Sequence, residues 1–183
     1  MASEAVAAAT QFPWDSVITG TTGVIGALVG AFLANYFATQ RWNEQIKHDQ
    51  DKEHRKLMRE KGEEAFLVLK KWEKELFFFN ASRIGYIQKT ISEEKLNKTI
   101  DEKVDPSTHG RLEVLFLVYF SDLAAELEQL HQQVDKVQRL FHIYSHYRPN
   151  LTGAEHMKEE SAVYERQCEA LKRKLKGVIK NYV

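Results

Sequence analysis

The chain has 183 residues, and its 26 Lys and Arg balance 26 Asp and Glu, so it carries no net charge when histidine is neutral. That balance excludes an overall field that would draw it to nucleic acid or to anionic lipid. A single cysteine, Cys168, excludes an intramolecular disulfide framework, and nine Gly with three Pro are too few to turn a many-stranded sheet, so an all-α fold is expected.

Residues 1–16 hold no Lys or Arg; Glu4 and Asp15 are their only charged side chains. Between Asp15 and Arg41, twenty-five residues pass without a charge, and Val17–Ala38 reads VITGTTGVIGALVGAFLANYFA. About twenty helical residues, rising roughly 1.5 Å each, cross a hydrocarbon core of about 30 Å. The run is too long for a signal peptide and lacks its basic leader. No other segment is apolar on all sides, so nothing is available to bury such a helix in water. A retained membrane span over 17–40 is therefore expected. Residues 41–60 carry Arg41, Lys47, Lys52, Arg55, Lys56 and Arg59. Basic residues stay in the cytoplasm, which places residues 1–16 outside and the remainder inside. Trp14, Tyr36 and Trp42 stand near the ends of the run, as interfacial aromatics do.

The span has two faces. Thr22, Gly26, Gly30 and Ala34 recur every four residues, a small-residue stripe that lets helix backbones approach closely. Asn35 falls on the opposite face, with Thr21, Leu28 and Thr39 nearby in angle. A polar group inside a membrane faces a partner or water. One face for neighbours and one for a lumen is a coherent arrangement, and a simple dimer uses the same residues.

Residues 41–56 read as a polar helical neck, because Lys47–Lys56 contains no apolar side chain. His48 and His54 in it read as solvated. The helical bundle is expected over 57–183. Met58, Ala65, Leu69, Trp72, Leu76, Phe79, Ile87 and Ile91 mark one buried helical face, widened by Phe66, Phe77 and Phe78. A stop is expected near Thr90, then a short helix carrying Leu96, Ile100 and Val104 before the Asp105-Pro106 break. Phe116, Phe120, Leu123, Leu127, Leu130, Val134, Val137, Phe141 and Tyr144 alternate spacings of four and three, which predicts one continuous heptad helix ended by Pro149. Thr152 and Glu155 predict a capping box opening a last helix, whose seam is Met157, Ser161, Tyr164, Cys168, Leu171, Leu175, Val178 and Tyr182. Short connections imply antiparallel neighbours. The expected bundle thus has three long helices and a short one.

No Gly-rich phosphate loop or nucleophilic triad is legible, and no metal, cofactor or small-molecule substrate is implied. Cys168 reads as a packed thiol. His109, beside Gly110 in a break, reads as solvated. Lys172, Arg173, Lys174, Lys176 and Lys180 read as a solvated basic face complementing a helix C-terminus. One constellation is sharper: Arg139, His142 and His146 share a helix face, outward from the Phe141/Tyr144 seam.

An Arg and a His separated by four to six residues, as Arg139 and His146 are by six, resemble the signature of the HEPN superfamily of small helical domains. In its active members the pair meets its copy across a dimer and cleaves RNA, His as acid or base and Arg holding phosphate. One membrane helix followed by a helical bundle with this element also resembles the accessory membrane protein of type VI-B CRISPR systems. That resemblance implies a homo-oligomeric ring in the bacterial inner membrane, lipid as a surrounding partner, and a CRISPR effector or RNA as a further one. It implies a pore that enhances RNA-targeting antiviral defence. The motif residues would be Arg139 and His146, in a structural rather than nucleolytic role. Two alternatives remain: a membrane-tethered, metal-independent HEPN-type ribonuclease, and a non-enzymatic membrane-anchored adaptor.

Overall fold

The computed structural model describes residues 14–182, with side chains from residue 27 onward. The described residues form α1 (Trp14–Ile87), α2 (Glu93–Lys103), α3 (Pro106–Tyr119), a 3-10 turn (Ser121–Leu123), α4 (Ala124–Tyr144) and α5 (Leu151–Lys180), with no strand among them. The all-α expectation is met. The chain divides into two units, Met1–Lys52 and Glu53–Val183.

In the first unit every described side chain is exposed, the large apolar Leu28, Val29, Phe32, Leu33, Tyr36 and Phe37 among them. Among the described residues no helix is long and apolar enough to cross a membrane. Of the run Val17–Ala38, residues 17–26 lie outside the described side chains, Thr22 and Gly26 with them. The expectation for residues 1–13 also lies outside the described residues.

The second unit is a bundle, and cross-links fix its directions. From α1 to α3, Glu64 accepts from Arg111 and Lys71 donates to Asp105, so α3 runs against α1. From α4 to α5, Tyr144 meets His156, Lys136 meets Glu160 and Glu126 meets Lys174, so these two are antiparallel. Tyr164 and Lys172 of α5 both reach Glu73 of α1. The main core joins Leu69, Trp72, Leu112, Phe116, Leu130 and Leu171, and a smaller one gathers Ile87, Val137, Ala154 and Met157. Gly62 is required where α1 meets the end of α5, since a methyl there would run into Ile179.

Local chemistry sets the breaks. The end of α1 is a Schellman motif: Thr90 N–H donates to the Gly85 carbonyl at 2.9 Å, and Lys89 N–H donates to Tyr86 at 3.1 Å. Lys89 occupies the left-handed position there, with φ of 59°. The Ser92 hydroxyl oxygen accepts from Lys95 N–H and caps α2. Asp105 caps α3 by accepting from Ser107 N–H at 2.9 Å, with Pro106 at the first helical position.

Four expectations are corrected. The heptad stretch is two helices, not one, because α3 ends at Tyr119 and the 3-10 turn intervenes. Phe120 to Leu123 is a step of three, which a 3-10 turn satisfies as well as an α-helix does, so spacing cannot see the break. Phe116, Phe120 and Leu123 are all buried across it. The cap of α5 is Asn150, whose side chain accepts from Gly153 N–H at 2.7 Å, rather than Thr152. Phe77 is exposed rather than part of the buried face. Lys172 is buried, held between Glu73 and Glu169, whereas Arg173, Lys174, Lys176 and Lys180 are exposed.

Candidate functional site

A group of convergent polar side chains stands where α1, α3 and α4 meet. His109 and Glu113 are four residues apart on α3 and so share a face. His131, on α4, completes the group. Its imidazole Nε2 lies 3.0 Å from His109 Nε2. The Glu113 carboxylate is 3.9 Å from His109 Nε2 and 3.9 Å from His131 Nδ1. The Trp72 indole of α1 fixes both rings, with centroids 5.6 Å from His109 and 5.4 Å from His131, the latter edge-on.

A cleft of about 450 Å³ opens onto this group. Glu75, Asp105, Glu113, Glu128 and Asp135 line it with the histidines and Trp72, and no Lys or Arg does. Asp105 is bonded to Lys71 at 2.6 Å, which holds its carboxyl well below the usual range. Glu75 is buried and accepts from the Thr108 hydroxyl at 3.1 Å. The side chain of His131 is only 16% exposed, while His109 is 46% exposed, so the pair has one sheltered and one open member. Burial pushes the His131 imidazole below its ordinary pKa, and the neighbouring His109 pushes the same way. Two rings this close hold one proton between them, one nitrogen donating and the other accepting. The arrangement can therefore share a proton or offer nitrogen and oxygen donors to a cation.

The sequence-based reading of His109 as a solvated residue in a break is corrected: it is helical and stacked against His131 and Trp72. The spacing of His109 and Glu113 was a visible signal. What spacing could not supply is His131, twenty-two residues away, delivered by the turn between α3 and α4.

The HEPN-like candidates lie elsewhere. Arg139 and His142 are exposed near the end of α4, and His146 is exposed in the turn beyond it. Among the described residues none of the three forms an ion pair. Of the span candidates, Gly30, Ala34, Asn35 and Thr39 are exposed, and the Thr39 hydroxyl donates to the Asn35 carbonyl of its own helix at 2.9 Å. A methyl at Gly30 would meet nothing within 4 Å. Cys168 is fully buried, and burial pushes its thiol up to about 12, the condition of an inert packed side chain.

Fold and site together define an all-helical bundle protein with a histidine-carboxylate cleft. The chain matches no protein-family model, no curated protein and no solved structure.

Proposed function

We propose that this protein is a membrane-anchored helical bundle that works as a homo-oligomer, with residues 17–40 in the bilayer and the bundle in the cytoplasm. One observation carries the reading: Leu28, Val29, Phe32, Leu33, Tyr36 and Phe37 follow one another on a helix and are 46–71% exposed. Apolar surface left in water forgoes about 25 cal/mol per Å², so such a helix calls for lipid or for neighbouring chains. The open face at Gly30 and Ala34 supports close packing of identical helices. On the bundle, Val114, Leu117 and Val118 form an exposed apolar strip along α3 that gives copies a second surface to share. The architecture resembling type VI-B accessory proteins extends the proposal to a ring that forms a pore in a bacterial inner membrane and strengthens RNA-targeting antiviral defence.

The deciding measurement is the mass of the detergent-solubilised particle, with membrane fractionation beside it. A ring predicts a discrete multimer, shifted to smaller species by Gly30→Leu, and loss of membrane potential in cells that Asn35→Leu suppresses. A monomer, or a chain recovered in the soluble fraction, ends the reading. The exposure of Arg139, His142 and His146 favours one second reading, an RNA-cleaving dimer. It requires RNA degradation that His146→Ala abolishes while assembly survives. A particle that neither depolarises cells nor degrades RNA, but holds another protein stably, is an adaptor.

A further inference from the structure

We propose that His109, Glu113 and His131 bind one divalent first-row transition-metal ion of the zinc type, with at least one coordination position left open to the cleft. This is independent of the membrane reading. All three offer ligand atoms within 4.8 Å of one another. Two imidazole nitrogens bonded to one zinc at about 2.0–2.1 Å in tetrahedral geometry stand roughly 3.3 Å apart. The observed separation of 3.0 Å is already close to that. Glu113, with a carboxylate oxygen 3.9 Å from His109 Nε2, completes the set on a flexible side chain.

The donor chemistry selects the ion class. Imidazole nitrogens favour zinc, cobalt, nickel, copper and iron, whereas calcium and magnesium prefer all-oxygen sets. Three protein ligands, two His and one carboxylate, make an incomplete shell, and incomplete shells are those that bind a water or substrate. Here the incomplete side faces the cleft, where Glu128 and Asp135 add negative charge opposed by no lysine or arginine of the lining. Trp72 holds both rings in place, and the ligands come from two helices, as in metal sites built inside helical bundles.

The test uses the full-length, tag-free chain in detergent, stripped with EDTA. Cobalt(II) is titrated and followed by its visible d–d absorption, then displaced by zinc. One saturable site per chain is expected. His109→Ala and His131→Gln should each weaken it at least about tenfold, and Glu113→Gln should weaken it with the helical circular dichroism unchanged. His142→Ala with His146→Ala should leave it intact. Zinc should raise the Tm of the unmodified chain and not that of Glu113→Gln. A spectrum that survives His131→Gln in the folded chain, no saturable binding at one ion per chain, or loss of the site in the His142/His146 variant overturns the proposal.

Discussion

The described part of the first unit and the bundle contain similar apolar side chains and lie partly on the same helix, yet they use those side chains oppositely. Leu33 on α1 is 46% exposed, and Leu69, further along α1, is fully buried. The difference lies in what packs against each stretch. From Met58 onward the apolar residues repeat at three and four, which gathers them on one stripe that α3, α4 and α5 cover. From Leu28 to Phe37 the large apolar side chains step by one and three and so also share one half of the helix, yet every one of them is exposed. Hydrophobicity, even gathered on one face, therefore does not make a core by itself; another element, or another medium, must cover that face.

The sharpest way to break this contrast is a matched pair of truncations. Leu69→Ala should cost the bundle about 2–5 kcal/mol in denaturant unfolding, through lost transfer energy and a cavity. Leu33→Ala should change the same transition by no more than about 0.5 kcal/mol. Equal losses would show that the first unit has a packed core of its own.

Glycines give a second pair. At Gly153 a methyl would press into the Tyr144 ring, 2.8 Å from its Cδ1, so Gly153→Ala should cost about 1–3 kcal/mol through overpacking. At Gly30 the space is open, and Gly30→Ala should leave the bundle transition unmoved. A shift in Tm on the Gly153 variant alone is the expected result.

Acid sharpens the comparison further. In EDTA-treated protein, His131 is held below its ordinary value of 6.5, so the unfolded chain takes up the proton first as pH falls. Its contribution is complete above about 6.5 and is lost as pH drops toward the folded value. Tm should therefore fall from about pH 7.5 to about pH 5.5. His131→Gln should flatten that slope, and His48→Gln, on the exposed first unit, should not. The carboxylates held low by lysine partners, Glu126 and Glu160 among them, lose their contribution only below their ordinary value of 4.5, so they do not confuse this window.

The smallest effect concerns the end of α1. Lys89 holds a left-handed backbone that glycine adopts freely, so Lys89→Gly should stabilise the bundle by about 1 kcal/mol. A loss instead would mean that the Lys89 side chain contributes more than its backbone costs.

Much of the fold was legible because its causes are local. The stop near Thr90, the break at Asp105-Pro106 and the interruption at Pro149 arise from residues within a few positions of one another, and the four-three spacing marks each buried stripe. The break at Phe120–Leu123 was not legible, since a step of three suits either helix type. The cap of α5 was misplaced because Thr152 and Asn150 are both competent, and the chain's hydrogen bond from Asn150 N–H to the Ile87 carbonyl fixes which one stands at the helix start.

By itself the sequence determined an all-helical chain, an uncharged N-terminal run unlike the rest, and a heptad-patterned interior, all properties of nearest neighbours and of periodicity. Only the tertiary structure decided that Lys172 is buried against Glu73, and that His109, Glu113 and His131 converge beneath Trp72. Those meetings depend on where the turns send each helix, and a side chain's chemistry is set by the residue folding brings beside it, which spacing along one helix does not encode.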